Sequence, residues 1–376
     1  MKIGIDARLY KSGLGIGRYI EQLLYHLERI DSDDEYVIFL RSEMMDHYFP
    51  SNPKFKKVCL NIGWYSIAEQ LIVPWILATQ KIDCMHFPHF NVPIFYPGRF
   101  IVTFHDLIMM KHPDSSKSAA STRHRCVHWL KYRCYLAVIR IAALRAHAII
   151  VVSNCVKDDL EKFLAIPADA ITVIHEGVHS FENQPDVVLP PSIQRPYYLN
   201  VGNAYPHKNI PFLLEVFEEL KRRGAPCMLV LVGQQDYFRE RIIEHIRVKN
   251  LSDTVIHLGF VSDAQLWALY RHARAALFPS FHEGFGFGAL EAASVGTPLI
   301  VSNIPCFHEM LGDAALYIDP RDIHGMISSI NSLESNSAQR MLLIHNGKKR
   351  VQLFSWDSAA RKTHALYHSL PRDASA

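Results

Sequence analysis

The sequence predicts an α/β protein with two domains, each built on a mainly parallel sheet. Its 376 residues exceed the size at which one hydrophobic core usually keeps growing. Short β-branched runs alternate with longer amphipathic segments, as repeated strand–helix–strand units require. A polar, proline-rich stretch at 181–196 has no helical period. We therefore assign 1–185 to the first domain, 186–196 to the linker and 197–355 to the second domain, and we expect a helix at 356–370 to pack back on the first domain.

Short runs of β-branched and aromatic residues predict the strands. They are KIGIDA, YVIFL, CMHF, FIVTFHD and AIIVVS in the first half, and PYYLNVG, CMLVLVG, VIHLGF, AALFPS and PLIVS in the second. Helices are predicted between them. GIGRYIEQLLYHLERI places Ile20, Leu23, Leu24 and Leu27 on one face, and IPFLLEVFEELKRRG ends at Gly224.

Composition excludes several classes of protein. Apolar residues make up 49% and charged residues 20%, which is typical of ordinary folded domains. A net charge of +3 is too small to indicate a nucleic-acid partner. Seven scattered cysteines without a Cys-x-x-Cys pair argue against a disulfide framework or zinc site and favour a reducing compartment. No apolar signal segment precedes the first strand and no stretch approaches eighteen uncharged apolar residues, so we expect a cytoplasmic protein.

A glycine-rich loop follows the first predicted strand. Ligands of doubly wound sheets bind at the carboxyl ends of the strands, where loops and helix N-termini meet. Gly13, Gly15 and Gly17 lead into a helix there, and such a loop can present backbone amides to a phosphate. A merely tight turn explains the glycines equally well. Their Gly-x-Gly-x-Gly spacing differs from the dinucleotide fingerprint and disfavours a nicotinamide dehydrogenase.

Histidines and aspartates follow other strands of the first half. His105 and Asp106 end FIVTFHD, where a capping role is the simpler interpretation. His86 and His89 lie in HFPHF without an evident third ligand, so they are expected to line a cleft or to pack structurally rather than to bind metal. The DSDD run at 31–34 lies between a helix and the second strand, which favours a solvated turn over a metal–nucleotide site.

Two segments of the second half carry candidate ligand groups. LNVGNAYPHKN leads a strand through Gly202 to Lys208, which can neutralise a phosphate as a point charge or can be an ordinary surface lysine. HEGFGFGALE then places Glu283 at a strand end and Glu291 in the following helix. Stabilisation by the helix dipole explains one of these carboxylates but not the glycines between them.

The stretch PSFHEGFGFGALEAASVGTPLIVS resembles the donor-binding signature of glycosyltransferase family 4, in which seven residues separate two glutamates. Further segments match this family in order: GIGRY, TFHDL, AIIVVSNCVKDDL, VIHEGV, VGNAYPHKN, HLGFVSD and FSWDSAA. The resemblance implies a GT-B fold, with two Rossmann-like domains facing across a cleft. It also implies sugar transfer from a nucleotide donor with retention of configuration, with the acceptor bound by the first domain and the donor by the second. No metal and no cofactor are implied.

The resemblance also assigns roles to residues of this chain. Glu291 should hold the ribose hydroxyls, and Lys208 the diphosphate. Glu283 and the amides of Gly284, Phe285, Gly286 and Phe287 should hold the sugar hydroxyls. Gly15 and Gly17 of the first domain should close over the diphosphate, with His105 near the reacting centre. Arg18, His86, His89 and Asp106 are candidate acceptor or cleft residues.

Two departures from the family pattern concern the phosphates. Asn203 stands where the family often has an arginine, and His207 stands where related members have another. Stabilisation of the leaving diphosphate is therefore expected to depend on Lys208, on backbone amides and on a charged His207, or on another residue such as Arg18.

The segment 117–147 is basic and contains no aspartate or glutamate. Interleaved aromatic residues fit an interfacial segment that docks on anionic lipid of the inner leaflet. A buried helix with a solvated basic edge explains the same pattern.

The resemblance favours mannose transfer from GDP-mannose to a glycan or lipid-linked oligosaccharide of the cell surface, because VTFHDL and GNAYPHKN are most similar to members with that donor. Three alternatives remain: a UDP-sugar-dependent hexosyltransferase, a GT-B epimerase of UDP-amino sugars, and a non-catalytic glycan-binding homologue.

Overall fold

A computed structural model of the chain describes residues 1–11, 15–30, 33–113, 125–178, 185, 187–193 and 196–370, without the side chains of 125–128. Gly13, residues 117–124 of the basic segment, and linker residues 186, 194 and 195 lie outside the described residues. The chain divides into two compact units. Unit 1 comprises Met1–Leu107, Ser121–Gly177 and Ser355–Ala376, and unit 2 comprises Ile108–Ala120 and Val178–Phe354.

Unit 1 contains a seven-stranded parallel sheet in the order β3-β2-β1-β4-β5-β6-β7. Its strands are β1 (Lys2–Asp6), β2 (Glu35–Leu40), β3 (Phe55–Cys59), β4 (Cys84–Phe87), β5 (Phe100–Phe104), β6 (Ala148–Val151) and β7 (Ile171–Val173). The strand order reverses beside β1, which pairs with both β2 and β4. The five predicted strands are present, whereas β3 and β7 were not predicted, because FKKVC is interrupted by lysines and β7 has only three residues.

Unit 2 contains a six-stranded parallel sheet in the order β10-β9-β8-β11-β12-β13. Its strands are β8 (Tyr197–Val201), β9 (Met228–Val232), β10 (Val255–Gly259), β11 (Ala276–Phe278), β12 (Leu299–Ser302) and β13 (Leu316–Ile318). Each of the central strands β9, β11 and β12 is fully buried, as continuous apolar runs in a parallel sheet require.

Helices connect the strands and cover the sheets. They are α1 (Gly15–Leu27), α2 (Ile67–Thr79), α3 (Ile108–Lys111), α4 (Arg125–Arg145), α5 (Asn154–Leu164), α6 (Ile210–Arg222), α7 (Tyr237–Val248), α8 (Asp263–His272), α9 (Phe287–Val295), α10 (Pro305–Leu311), α11 (Ile323–Ser335), α12 (Ser337–Val351) and α13 (Trp356–Ser369). The predicted apolar face of α1 is confirmed, since Ile20, Leu23, Leu24 and Leu27 are buried.

The last helix, α13, packs in unit 1 against α1. Its start requires a glycine at position 177, because a Cβ there would lie 2.3 Å from the backbone nitrogen of Trp356. Trp356 also contacts Tyr19 of α1, with ring centroids 5.9 Å apart. Further along α13, the hydroxyl of Tyr367 lies 2.6 Å from His86 Nδ1 in the core of unit 1. Two segments far apart in sequence therefore complete one hydrophobic core.

Candidate active site

The donor-site candidates of unit 2 gather where parallel strands end. β8 ends at Val201 and β11 at Phe278, and both carboxyl ends lie at the same edge of the sheet. Lys208 closes a short 3₁₀ turn after β8, while Glu283 lies in the loop between β11 and α9. The topology therefore brings together two segments that are 75 residues apart.

Lys208 and Glu283 form a direct ion pair. The lysine Nζ lies 2.8 Å from Glu283 Oε1 and 2.7 Å from Oε2. The hydroxyl of Ser280 donates to Glu283 Oε1 at 2.7 Å. The Lys208 side chain is 23% exposed and that of Glu283 is 8% exposed, so the pair is shielded yet reachable from solvent. Three fixed hydrogen bonds thus orient a cation and an anion at the end of β11.

The glycine turn after Glu283 leads directly into α9. Gly286 has φ +84° at the helix start, a conformation that L side chains rarely adopt. A Cβ at this position would also lie 3.0 Å from Phe307. Glu291 follows in the second turn of α9 and is buried, with 4% exposure. The glycines allow the chain to turn here, so that the N-terminus of α9, with its partial positive charge, lies at the edge of the sheet.

The two positions where an arginine was expected have different environments. His207 is buried, and burial together with the Lys208 charge lowers its pKa to about 2. The ring is therefore neutral near pH 7, and the expected charged His207 is not available for a diphosphate. Asn203 is half-buried, and its side-chain oxygen accepts a long 3.5 Å hydrogen bond from the Tyr205 amide. Neither residue replaces a cation.

A buried arginine that sequence reasoning missed lies beneath the same loop. Arg239 of α7 is fully buried and donates to the carbonyl of Gly202 at 2.6 Å. A Cβ at Gly233 would approach this guanidinium to 2.7 Å and the Gly202 carbonyl to 2.0 Å, so the glycine makes room for the contact. Burial lowers the pKa of Arg239 to about 10, which leaves it charged at neutral pH. Arg239 positions the loop that carries Asn203 and Lys208.

Unit 2 also contains a cavity of about 520 Å³. Two of its lining residues, Pro206 and His282, lie within two positions of Lys208 and Glu283 in the sequence. Six of its lining residues are His112, Phe281, His282, Asn303, Asp319 and Arg321. His112 Nε2 and His282 Nδ1 are 2.6 Å apart, and burial lowers the pKa of His282 to about 4. The cavity includes Pro206 and His282, the neighbours of His207 and Glu283, but none of the residues predicted to bind the donor.

In unit 1, His105 of the FIVTFHD segment contacts Glu176 of the VIHEGV segment. His105 follows β5, and its Nδ1 lies 2.9 Å from Glu176 Oε1 while its Nε2 donates to the Pro88 carbonyl at 2.8 Å. Glu176 is 1% exposed. Although burial opposes it, the Glu176 carboxylate and the Pro88 carbonyl raise the pKa of His105. Both ring nitrogens are engaged, so His105 is held as a positioned, proton-bearing group rather than as a proton acceptor. Sequence reasoning assigned no role to Glu176.

A buried polar network that was also missed lies at the end of β1. Arg8 Nε and Nη2 donate to the two oxygens of Asp6 at 2.8 and 2.7 Å, and Nη2 also lies 2.6 Å from Glu69 Oε1. Asn91 Nδ2 donates to both oxygens of Glu69 at 2.8 Å. The Asp6 and Asn91 side chains border a small recess at the carboxyl edge of the sheet. The network fixes the ends of β1 and β4 on the side where the acceptor was expected.

The remaining candidates of unit 1 have mixed outcomes. The cleft position expected for His86 is wrong, because this side chain is fully buried between Thr103 and Tyr367. His89 lines the small recess beside Asn91. Gly15 is exposed at the start of α1, Gly17 is buried, and Arg18 and Asp106 are half-buried. For these residues the assigned roles stay predictions.

Family models match both units of the chain. The model described as Glycosyltransferase Family 4 matches residues 14–180, and the one described as Glycosyl transferases group 1 matches residues 186–350. The chain belongs to glycosyltransferase family 4. This glycosyltransferase is 27% identical over 346 residues to the O-antigen chain mannosyltransferase RfbU of Salmonella typhimurium, which covers 87% of this chain and 89% of that one.

Two further proteins are similar over nearly the whole glycosyltransferase. It is 26% identical over 382 residues to the O-antigen chain mannosyltransferase B of Escherichia coli, covering 95% of this chain and 96% of that one. A solved structure of sucrose-phosphate synthase from Thermosynechococcus elongatus superimposes with a TM-score of 0.78 at 20% identity, covering 98% and 99% of the two chains. The expected GT-B fold with two Rossmann-like domains is confirmed.

Proposed function

We propose that this glycosyltransferase moves mannose from GDP-mannose to a glycan or lipid-linked oligosaccharide acceptor of the cell surface, with retention of configuration. The Lys208–Glu283 ion pair at the carboxyl edge of unit 2 carries the proposal. The names of the two O-antigen mannosyltransferases that resemble the whole chain support the choice of sugar and acceptor.

The chemistry of the site follows from charge. When the bond between the sugar C1 and the phosphate oxygen breaks, negative charge develops on the diphosphate and positive charge on the sugar. An ammonium has three N–H donors, so Lys208 can keep its contact with Glu283 and still donate to a phosphate oxygen. The acceptor oxygen then bonds to C1 on the same face, and its proton passes to the departing phosphate oxygen. Glu283, held by Ser280 and Lys208, accepts hydrogen bonds from the sugar hydroxyls.

Donor identity is tested by product release. The full-length protein is incubated with GDP-mannose, UDP-glucose or UDP-N-acetylglucosamine, together with a lipid-linked oligosaccharide acceptor. Acceptor-dependent release of GDP supports the proposal. Acceptor-dependent release of UDP alone would establish the UDP-sugar alternative, formation of a free 2-epimer would establish the epimerase, and binding without release would establish a non-catalytic homologue.

We also propose that the transfer needs no metal ion at the donor site. Lys208 and the N-terminus of α9 supply the positive charge that a divalent cation supplies in other sugar-nucleotide sites. Turnover with GDP-mannose should be the same in EDTA and in magnesium. A loss of turnover in EDTA that magnesium restores would contradict this.

We also propose that unit 1 docks on an anionic lipid surface at the inner leaflet, through exposed apolar and basic side chains of α2 and α4. Along α2, the exposed side chains are largely apolar and include Ile67 at 79%, Leu71 at 63% and Trp75 at 71% exposure. On α4, Trp129 and Leu130 are exposed, and four basic residues of this helix, Lys131, Arg133, Arg140 and Arg145, are exposed with them. Apolar anchors next to cationic side chains are the combination that interfacial binding uses. No described helix has both the length and the apolar content to cross a bilayer.

Liposome sedimentation tests the docking surface. The wild-type protein should pellet with phosphatidylglycerol vesicles at low salt, and Ile67→Ser/Trp75→Ser should weaken this binding by about tenfold or more, because each buried apolar side chain contributes about 1.5–3 kcal/mol. Met341→Ser serves as the control, since this side chain is equally exposed on unit 2. Equal pelleting of all three proteins, or no pelleting at all, would remove the lipid partner.

A further inference from the structure

Three metal-ligating side chains gather in unit 1, away from the candidate active site. Asp34 immediately precedes β2, at the amino end of the parallel sheet, whereas His105 follows β5 at the carboxyl end. His364 and His368 belong to α13 and reach Asp34 from 330 and 334 residues further along the chain. None of the three was a predicted site residue, and the solvated turn expected at 31–34 does not describe Asp34, which is 3% exposed.

Both histidines present the same nitrogen to the same oxygen. His364 Nε2 lies 3.2 Å from Asp34 Oδ2, and His368 Nε2 lies 2.6 Å from it. The other carboxylate oxygen, Oδ1, accepts from the α-amino group of Met1 at 2.7 Å. One ligand atom from each of Asp34, His364 and His368 lies within 4.8 Å of the others. The carboxylate is thus oriented, with one oxygen directed towards two imidazoles.

His364 and His368 are four residues apart on α13, a spacing that allows both imidazoles to bind one metal ion. Residues four apart lie on the same helix face, and the two imidazole centroids are 4.7 Å apart. Neighbouring ligand atoms of a tetrahedral zinc site are about 3.3 Å apart, as bond lengths of about 2.0–2.1 Å require. The 3.2 Å distance already fits this geometry, and the 2.6 Å distance fits after a small outward movement of His368, which is 37% exposed.

We propose that Asp34, His364 and His368 bind one divalent transition-metal ion, with zinc the best match to two imidazoles and a carboxylate. The exposed side of His368 leaves a fourth position for water. The ion fastens α13 to the start of β2. It is structural, since its ligands lie at the sheet edge opposite to His105 and Asp106.

The bound ion closes a very long loop. Because Asp34 and the histidines of α13 are more than 300 residues apart, the unfolded chain does not bring these ligands together, and the site forms only on folding. Ligand binding to the folded state alone also stabilises it in proportion to the logarithm of the ion concentration. Zinc should therefore raise the melting temperature of unit 1.

The test uses the full-length protein without a histidine tag, stripped with EDTA and desalted. Zinc titration by calorimetry should show one site per chain, and cobalt should give the visible absorption of a tetrahedral nitrogen and oxygen site. His368→Ala and His364→Ala should each weaken zinc binding by at least tenfold and abolish the zinc-dependent rise in melting temperature. His47→Ala is the control, because His47 is an exposed histidine of unit 1 outside the cluster.

Two results would overturn the proposal. One is the absence of a zinc site in the wild-type titration. The other is a zinc-dependent shift that His364→Ala and His368→Ala retain, which would place the ion elsewhere. If the wild-type protein shows no zinc site and both variants still lower the melting temperature, the cluster is a hydrogen-bonded ion pair and not a metal site.

Discussion

The Nζ of Lys208 contacts both carboxylate oxygens of Glu283, at 2.8 and 2.7 Å. Each residue would be a costly isolated charge at this shielded edge of the sheet, and together they are neutral. The pair therefore holds the Lys208 ammonium next to the N-terminus of α9. The Glu283 carboxylate offsets the repulsion between this ammonium and the positive end of the helix. Under the proposed function, a diphosphate that enters the site would meet a lysine already held in position.

Lys208→Ala should lower kcat by several orders of magnitude without unfolding the protein. The substitution removes the cation that stabilises the developing charge on the leaving group, and each tenfold loss is about 1.4 kcal/mol of transition-state stabilisation. Steady-state kinetics with GDP-mannose measures the effect. Lys349→Ala, an exposed lysine of α12, is the matched control. Near-normal turnover of Lys208→Ala would show that the charge is supplied by another residue.

Glu283→Gln should reduce kcat/KM by about 10²-fold or more, because both the sugar contacts and the orientation of Lys208 depend on its carboxylate. The double variant Lys208→Ala/Glu283→Gln should be no slower than the slower single variant, since residues acting as one unit are not additive. Additive losses in this double-mutant cycle would mean that the two side chains act independently.

Glu176→Gln should destabilise unit 1 by about 1–3 kcal/mol, the contribution of a buried hydrogen bond to a charged group. The pKa of His105 is raised in the folded state, so its contribution is fully present below the unfolded pKa of about 6.5 and is lost as pH rises through the folded pKa. The loss caused by Glu176→Gln should accordingly be larger at pH 6 than at pH 9. Denaturant unfolding at both values measures it, with the exposed Glu161→Gln as control.

Acid should destabilise the protein from about pH 6.5 downwards. Burial lowers the pKa of His86 and of His89 to about 3, and that of His207 to about 2. The unfolded chain binds protons at these histidines below pH 6.5 while the folded protein does not, so the free energy of unfolding falls by about 1.4 kcal/mol per pH unit for each of them. Unfolding curves at pH 7, 6 and 5 check this. A constant stability over that range would contradict the neutral state of the three rings.

Gly286→Ala should destabilise unit 2 by about 1–2 kcal/mol and weaken donor binding, because an L residue at φ +84° is strained and its Cβ approaches Phe307. Gly224→Ala separates the two causes, since this glycine has φ +74° but nothing within 4 Å of its Cβ position. The Gly224 variant should lose stability without losing donor affinity. Equal donor affinity in both variants would mean that the turn before α9 does not shape the donor site.

The sequence predicted the parts of the molecule that local patterns encode. The apolar face of α1 and the glycine turn before α9 are properties of neighbouring residues, and both are present as expected. The partner of His105 is 71 residues away, and the contact of Arg239 with Gly202 spans 37 residues. Such pairings depend on strand order, which periodicity does not specify. Because both contacts are long-range, the roles of Glu176 and Arg239 were missed.

Errors arose where burial changes the meaning of a polar residue. His86 was a candidate to line the cleft, yet it lies inside β4, where its ring nitrogens bond to Thr103 and Tyr367. His207 was expected to assist at the phosphates as a charged group, but burial removes its charge. The sequence records that a residue can ionise, whereas its packing decides whether it does.

The glycine at 177 and the tryptophan at 356 mark where the chain leaves unit 1 and where it returns. During synthesis on the ribosome, unit 2 can fold as soon as its own residues have emerged, whereas unit 1 must wait for α13, which supplies Trp356 and Tyr367 to its core. The domain that begins first is therefore finished last. A nonsense mutation shortly before position 355 would spare unit 2 and leave unit 1 with an open, apolar groove for chaperones and proteases.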